Sequence, residues 1–136
     1  MATDDFEGTV LIAEDDEAIR DGLSMSLEIE GYRVLTAADG RAALELLPTL
    51  ESPCLLLLDL LMPVMNGWEL LEAKNANPAL AGIPVVVLSS ADEKQPLPGV
   101  AAFVPKPYQL DKVIGAIRQF CGSSAPRGRT AGRMLN

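Results

Sequence analysis

Residues Cys54-Leu-Leu-Leu-Leu-Asp59-Leu-Leu-Met-Pro63-Val64 decide how this 136-residue chain is read. Four consecutive leucines with no alternation fit a strand buried on both faces, the habit of a parallel sheet with helices on either side. The run meets a carboxylate, Asp59, and Pro63 and Asn66-Gly67 then close it in a loop. In open α/β sheets ligands bind beyond the carboxyl ends of the strands, so Asp59 stands where chemistry is placed. A strand-terminal aspartate is equally an ordinary loop starter or helix cap. The surrounding chain has to choose.

Upstream, Thr9-Val-Leu-Ile-Ala13 is another apolar run, and it ends on three acids, Glu14, Asp15 and Asp16. Ile19, Leu23 and Leu27 predict a helix stopped by Gly31. Tyr32 to Thr36 reads as a strand, and Asp39-Gly40 turns into an Ala/Leu-rich helix from Arg41 to Leu47, ended by Pro48. Downstream, a helix is expected from Gly67 to about Lys74, with Trp68 and Leu71 on one face. A loop covers Asn77-Pro78 to Gly82, and Pro84 to Ser89 is a doubly buried strand. Ala102 to Val104 makes a short fifth strand, and Leu110, Ile114 and Ile117 mark a last amphipathic helix ending near Cys121.

Strands alternating with helices predict an α/β fold, a flavodoxin-like doubly wound parallel sheet of five strands in the order 2-1-3-4-5, with about four to five helices. The expected division is a polar lead-in over 1–8, one domain over 9–122 and a flexible Gly-, Ser- and Arg-rich tail over 123–136. One irregularity follows Ser89. Asp92-Glu-Lys-Gln-Pro96-Leu-Pro98-Gly99 forbids an ordinary helix interior, so the crossover is expected to be a loop or a single turn.

Composition narrows the chemistry. Hydrophobic residues make up 49% and charged ones 22%, which suits a packed globule. Eleven basic against 19 acidic residues give a net charge of −8, which disfavours nucleic-acid or anionic-membrane contact. The absence of histidine excludes Ser/His triads and His-based acid–base catalysis. Cys54 and Cys121 lack ligand or redox spacing and read as core filler. No signal peptide and no run near the ~18 apolar residues of a spanning helix is present, so a cytoplasmic protein is expected.

With strand order 2-1-3-4-5, the first and third strands are neighbours, and their ends bring Glu14 and Asp15 beside Asp59. Two like charges ~4 Å apart repel by about 4 kcal/mol at an effective dielectric near 20, so three carboxylates in one crevice call for a cation. All-oxygen ligation suits Mg²⁺, which takes few carboxylates plus a phosphate oxygen. The fourth strand delivers the Ser89 hydroxyl to the same edge and the fifth delivers Lys106. Together they form a site for a phosphoryl group, with a carboxylate as acceptor. Singly each has a plain alternative: Asp16 and Glu17 complement the helix dipole, Ser89 is a strand-end hydroxyl, Lys106 a solvated lysine.

The stretches Val10-Leu-Ile-Ala-Glu14-Asp15-Asp16, Leu57-Leu58-Asp59-Leu-Leu-Met-Pro63, Val86-Val-Leu-Ser89-Ser90-Ala91 and Phe103-Val-Pro-Lys106-Pro107 resemble, in order, the receiver domains of two-component response regulators. That resemblance implies Asp59 as phosphoacceptor, Asp15 as a direct Mg²⁺ ligand, Glu14 as a direct or water-mediated one, and the Leu61 backbone carbonyl as another. It further implies Lys106 as partner of the phosphoryl oxygens, Ser89 as switch hydroxyl, Phe103 as switch aromatic, and a cis bond between Lys106 and Pro107. Phe103 has the alternative of a plain core aromatic. The donor would be a histidine kinase or phosphotransfer protein, and the output contact with a protein target. The chain would be a signalling switch rather than an enzyme. The proline-broken fourth helix departs from the family pattern and motivates a second reading, a pseudo-receiver that binds partners without phosphorylation.

Overall fold

The computed structural model describes residues 6–89 and 98–121. In chain order the elements are β1 (Thr9–Ala13), α1 (Glu17–Ile29), β2 (Arg33–Ala37), α2 (Gly40–Leu46), β3 (Cys54–Asp59), α3 (Gly67–Asn75), α4 (Pro78–Ala81), β4 (Val85–Ser89), β5 (Val100–Pro105) and α5 (Leu110–Cys121). The strands form one parallel sheet in the order β2-β1-β3-β4-β5, as expected from the sequence.

The leucine run is β3, the middle strand, and Leu55 to Leu58 are all fully buried. Its side chains divide between two cores, which is why the sequence does not alternate. Leu55 and Leu57 join Val10, Ile12, Val86 and Leu88 under Leu23 and Leu27 of α1 and Val113 and Ile117 of α5. Leu56 and Leu58 join Leu11, Val85 and Val87 under Ala43 of α2, Leu70 and Leu71 of α3 and Leu80 of α4. Each leucine so buried contributes on the order of 2 kcal/mol relative to an exposed one.

Three local differences from the sequence reading have physical causes. Asn77 to Gly82 is not simply a loop: the Asn77 side chain accepts from the Ala79 amide, and Pro78 at the first position starts the single turn α4. Pro48 does not end its helix abruptly, because Leu47–Thr49 continues α2 as a 3₁₀ turn with the proline near its start. β5 begins at Val100, earlier than expected, where alternating small residues hide the pattern. Lys106–Pro107 is cis, as the family resemblance implies, and so is Ser52–Pro53. The Pro96 break, on which the shortened fourth helix of that resemblance rests, lies outside the described residues.

Candidate functional site

The site is assembled at the carboxyl ends of four strands. β1 and β3 pair from Thr9↔Cys54 to Ala13↔Leu58, so both strands run out together and leave Glu14 and Asp15 beside Asp59. Carboxylate oxygens of these three residues all lie within 4.8 Å of one another. Glu14 and Asp59 are buried at 2% and 5% exposure, while Asp15 is exposed. The expected trio is therefore brought together, with one face open to solvent.

Electrostatics make the trio unstable as three bare anions. Burial above all, and then the like charge of the neighbouring Asp59 carboxylate, push the Glu14 carboxyl up to about 7, although the Asp16 amide and the Lys106 ammonium pull the other way. Glu14 Oε2 accepts the Asp16 amide at 3.0 Å, but Oε1 is buried and meets no donor. A buried carboxylate oxygen without a donor, in a group of three acids, could hold a cation, and the all-oxygen donor set would fit a hard divalent ion. Among the described residues this is the only such cluster.

On the other flank, Lys106 Nζ reaches Asp59 Oδ1 at 3.1 Å, and the Leu61 amide donates to the same oxygen at 3.3 Å. β4 runs past β3 with Asp59↔Leu88 in register, which sets buried Ser89 one residue further along the same edge. β5 follows with Ser89↔Pro105, and the Lys106 amide donates to the Ser89 carbonyl at 2.7 Å. Leu61 projects its side chain outward, 59% exposed. Phe103 is 43% exposed and so is not a core aromatic; it faces outward on the sheet-edge strand.

The loop after Asp59 is held by close backbone approaches. A Cβ on Gly67 would sit 2.7 Å from Leu60 Cα, and one on Gly40 would sit 2.2 Å from the Met65 carbonyl oxygen, so neither position admits a side chain. The amides of Gly67 and Gly40 donate to Leu60 and Met65 across these contacts. Asn66 and Glu69 then form a capping box that starts α3. Earlier in this loop, before Asn66, Val64 takes φ 69°, a strained value for a β-branched residue.

Two residues at the site escaped sequence reasoning. Tyr108 is half-buried against the core, and its hydroxyl is raised by burial and by the nearby Glu14 and Asp16 charges. Its position two residues after Lys106 was the available signal. Arg20, one turn into α1, turns its guanidinium back toward the acid loop and donates to the Glu14 carbonyl at 2.9 Å. Helical spacing from Asp16 could have suggested it. Among the described residues no helix is long and apolar enough to cross a membrane.

Residues 10–118 match the family model described as the response regulator receiver domain. The chain is 30% identical over 122 residues to the response regulator MprA of Mycolicibacterium vanbaalenii, covering 86% of this chain and 52% of that protein. It thus spans about half the length of the curated relatives it matches. Among solved structures, the receiver domain of Francisella response regulator 1452 superposes with a TM-score of 0.75 at 26% identity, covering 84% of this chain and 96% of that one. The receiver domain of a signal transduction histidine kinase from Syntrophus aciditrophicus gives 0.75 at 26% identity, covering 90% and 97%.

Proposed function

Because the chain belongs to the response regulator receiver-domain family, we propose that it is a phosphoacceptor signalling switch in which Asp59 takes a phosphoryl group from a histidine kinase or phosphotransfer protein. The observation that carries this reading is Asp59 itself: buried, bonded to Lys106 at 3.1 Å, and within 4.8 Å of Glu14 and Asp15. Neither a loop starter nor a helix cap needs that company.

Glu14, Asp15, Asp59 and the Leu61 carbonyl would hold Mg²⁺, which when bound offsets the acids' charge and draws in phosphoryl oxygens. An Asp59 carboxylate oxygen forms the new bond to phosphorus as the phosphorus–nitrogen bond of the donor's phosphohistidine breaks, and the electron pair leaves with the imidazole. Lys106 is released from Oδ1 and pairs with the phosphoryl oxygens, and Ser89 donates its hydroxyl to another of them. The added group carries roughly −1.5 to −2 charge, on the analogy of other phosphorylated side chains. Phe103 and the surface of β5 and α5 then change, altering contact with a protein target. In this reading residues 9–122 are the receiver unit.

Incubation with a small-molecule acyl phosphate and Mg²⁺, read by intact mass, tests the proposal. The expected product carries one phosphoryl group, absent in Asp59→Ala. A folded wild-type chain that stays unmodified would instead support a phosphorylation-independent interaction module.

A further inference from the structure

Three consecutive carbonyls of the acid loop are engaged by one residue. The Arg20 amide donates to the Asp16 carbonyl at 2.9 Å as α1 begins. Its side chain runs back toward the helix start, as helical side chains do. There Nη1 donates to the Glu14 carbonyl at 2.9 Å and lies 3.5 Å from that of Asp15. The loop is fixed from its other side too, because the Glu14 amide donates to the Ala37 carbonyl at 3.0 Å and Asp16 caps the helix through the Ile19 amide.

From this arrangement we propose that Arg20 is a positioning residue that fixes the Glu14–Asp15 backbone and thereby makes the acid site selective for Mg²⁺ over larger divalent cations. The inference rests on the cation-dependent reading above and deepens it. The guanidinium's contacts in the loop are to main-chain carbonyls, and it is Lys106 that reaches an acid's carboxylate, so Arg20 works on the main chain. Such a clamp has a purpose here. Neighbouring carboxylates repel, Asp15 is exposed and has room to swing outward, and only its backbone can be held without consuming a ligand oxygen. Mg²⁺ demands near-ideal octahedral ligation at ~2.0–2.1 Å, whereas Ca²⁺ accepts a looser shell at ~2.3–2.6 Å, so a relaxed loop penalises the smaller ion. Groups behind metal ligands characteristically account for about 10–100-fold in affinity.

The test compares the full chain with Arg20→Met and Arg20→Lys, each checked for folding by circular dichroism. Calorimetric titrations with Mg²⁺ and with Ca²⁺ are paired with amide hydrogen exchange of the metal-free proteins. Arg20→Met is expected to weaken Mg²⁺ binding about tenfold, to change Ca²⁺ binding less than about threefold, and to speed exchange at residues 15–17. Arg20→Lys, which keeps one donor head, should recover part of the Mg²⁺ affinity and serves if the methionine variant does not fold. Unchanged Mg²⁺ affinity, or equal loss for both ions, overturns the proposal. The two readings fail differently. Wild-type protein that takes up neither ion removes the cation site and the selectivity with it; unchanged exchange in metal-free Arg20→Met removes the clamp alone.

Discussion

At Glu14 burial and a neighbouring carboxylate act together on one side chain. Its carboxyl is raised to about 7 from 4.5, first by burial. The folded chain therefore keeps a proton that the unfolded chain gives up above pH 4.5. Stability from this group is full below that value and is lost as pH rises through about 7. In the presence of a chelator, wild-type protein should lose stability relative to Glu14→Gln between about pH 5 and pH 7.5, as measured by urea denaturation. Parallel curves for the two proteins would contradict this. At this scale the sequence was most legible where residue type dictates chemistry, as with Asp59 among acids, and least where geometry overrides type. The φ of 69° at Val64 is a case in point: nothing in Pro63-Val64-Met65 offers the glycine or asparagine that would announce it.

Among the elements, α3 and α4 hold a fully buried charge away from the acid site. Lys74 is 0% exposed and donates to the Ala81 carbonyl at 3.1 Å, anchoring the end of the one-turn helix. Burial lowers its ammonium from the usual lysine value. A depressed folded value means that the group favours folding more as pH rises and opposes it as pH falls through that value. Lys74→Met should therefore stabilise the protein by about 1 kcal/mol at neutral pH, with the advantage shrinking toward pH 9.5. A variant less stable than wild type at pH 7 would mean that the Ala81 bond outweighs the cost of burying the charge. Elements of this length explain where sequence reasoning stopped. Four residues of α4 cannot display a helical period, and a lysine at the end of a helix pattern looks solvated until the next turn folds over it. The long periods of α1 and α5, and the unbroken leucines of β3, had no such ambiguity.

For the molecule as a whole, the sheet separates two tasks. β1 and β3 carry the acids, and β4 and β5 carry the hydroxyl and ammonium that would take the phosphoryl oxygens. The two donors are not independent, since the Lys106 amide is bonded to the Ser89 carbonyl at 2.7 Å. Initial rates of phosphoryl uptake for Ser89→Ala, Lys106→Met and the double variant should accordingly be non-additive, with a coupling of about 1 kcal/mol. Additive losses would make them separate contacts. That short backbone bond also changes what kind of signal the domain can send. It ties the ends of β4 and β5 together, so a shift of the main chain at Lys106 is felt at Ser89. In the proposed switch, a cation held at the ends of β1 and β3 would bear on the same Asp59 carboxylate that Lys106 holds, so both flanks of the site would answer to one side chain.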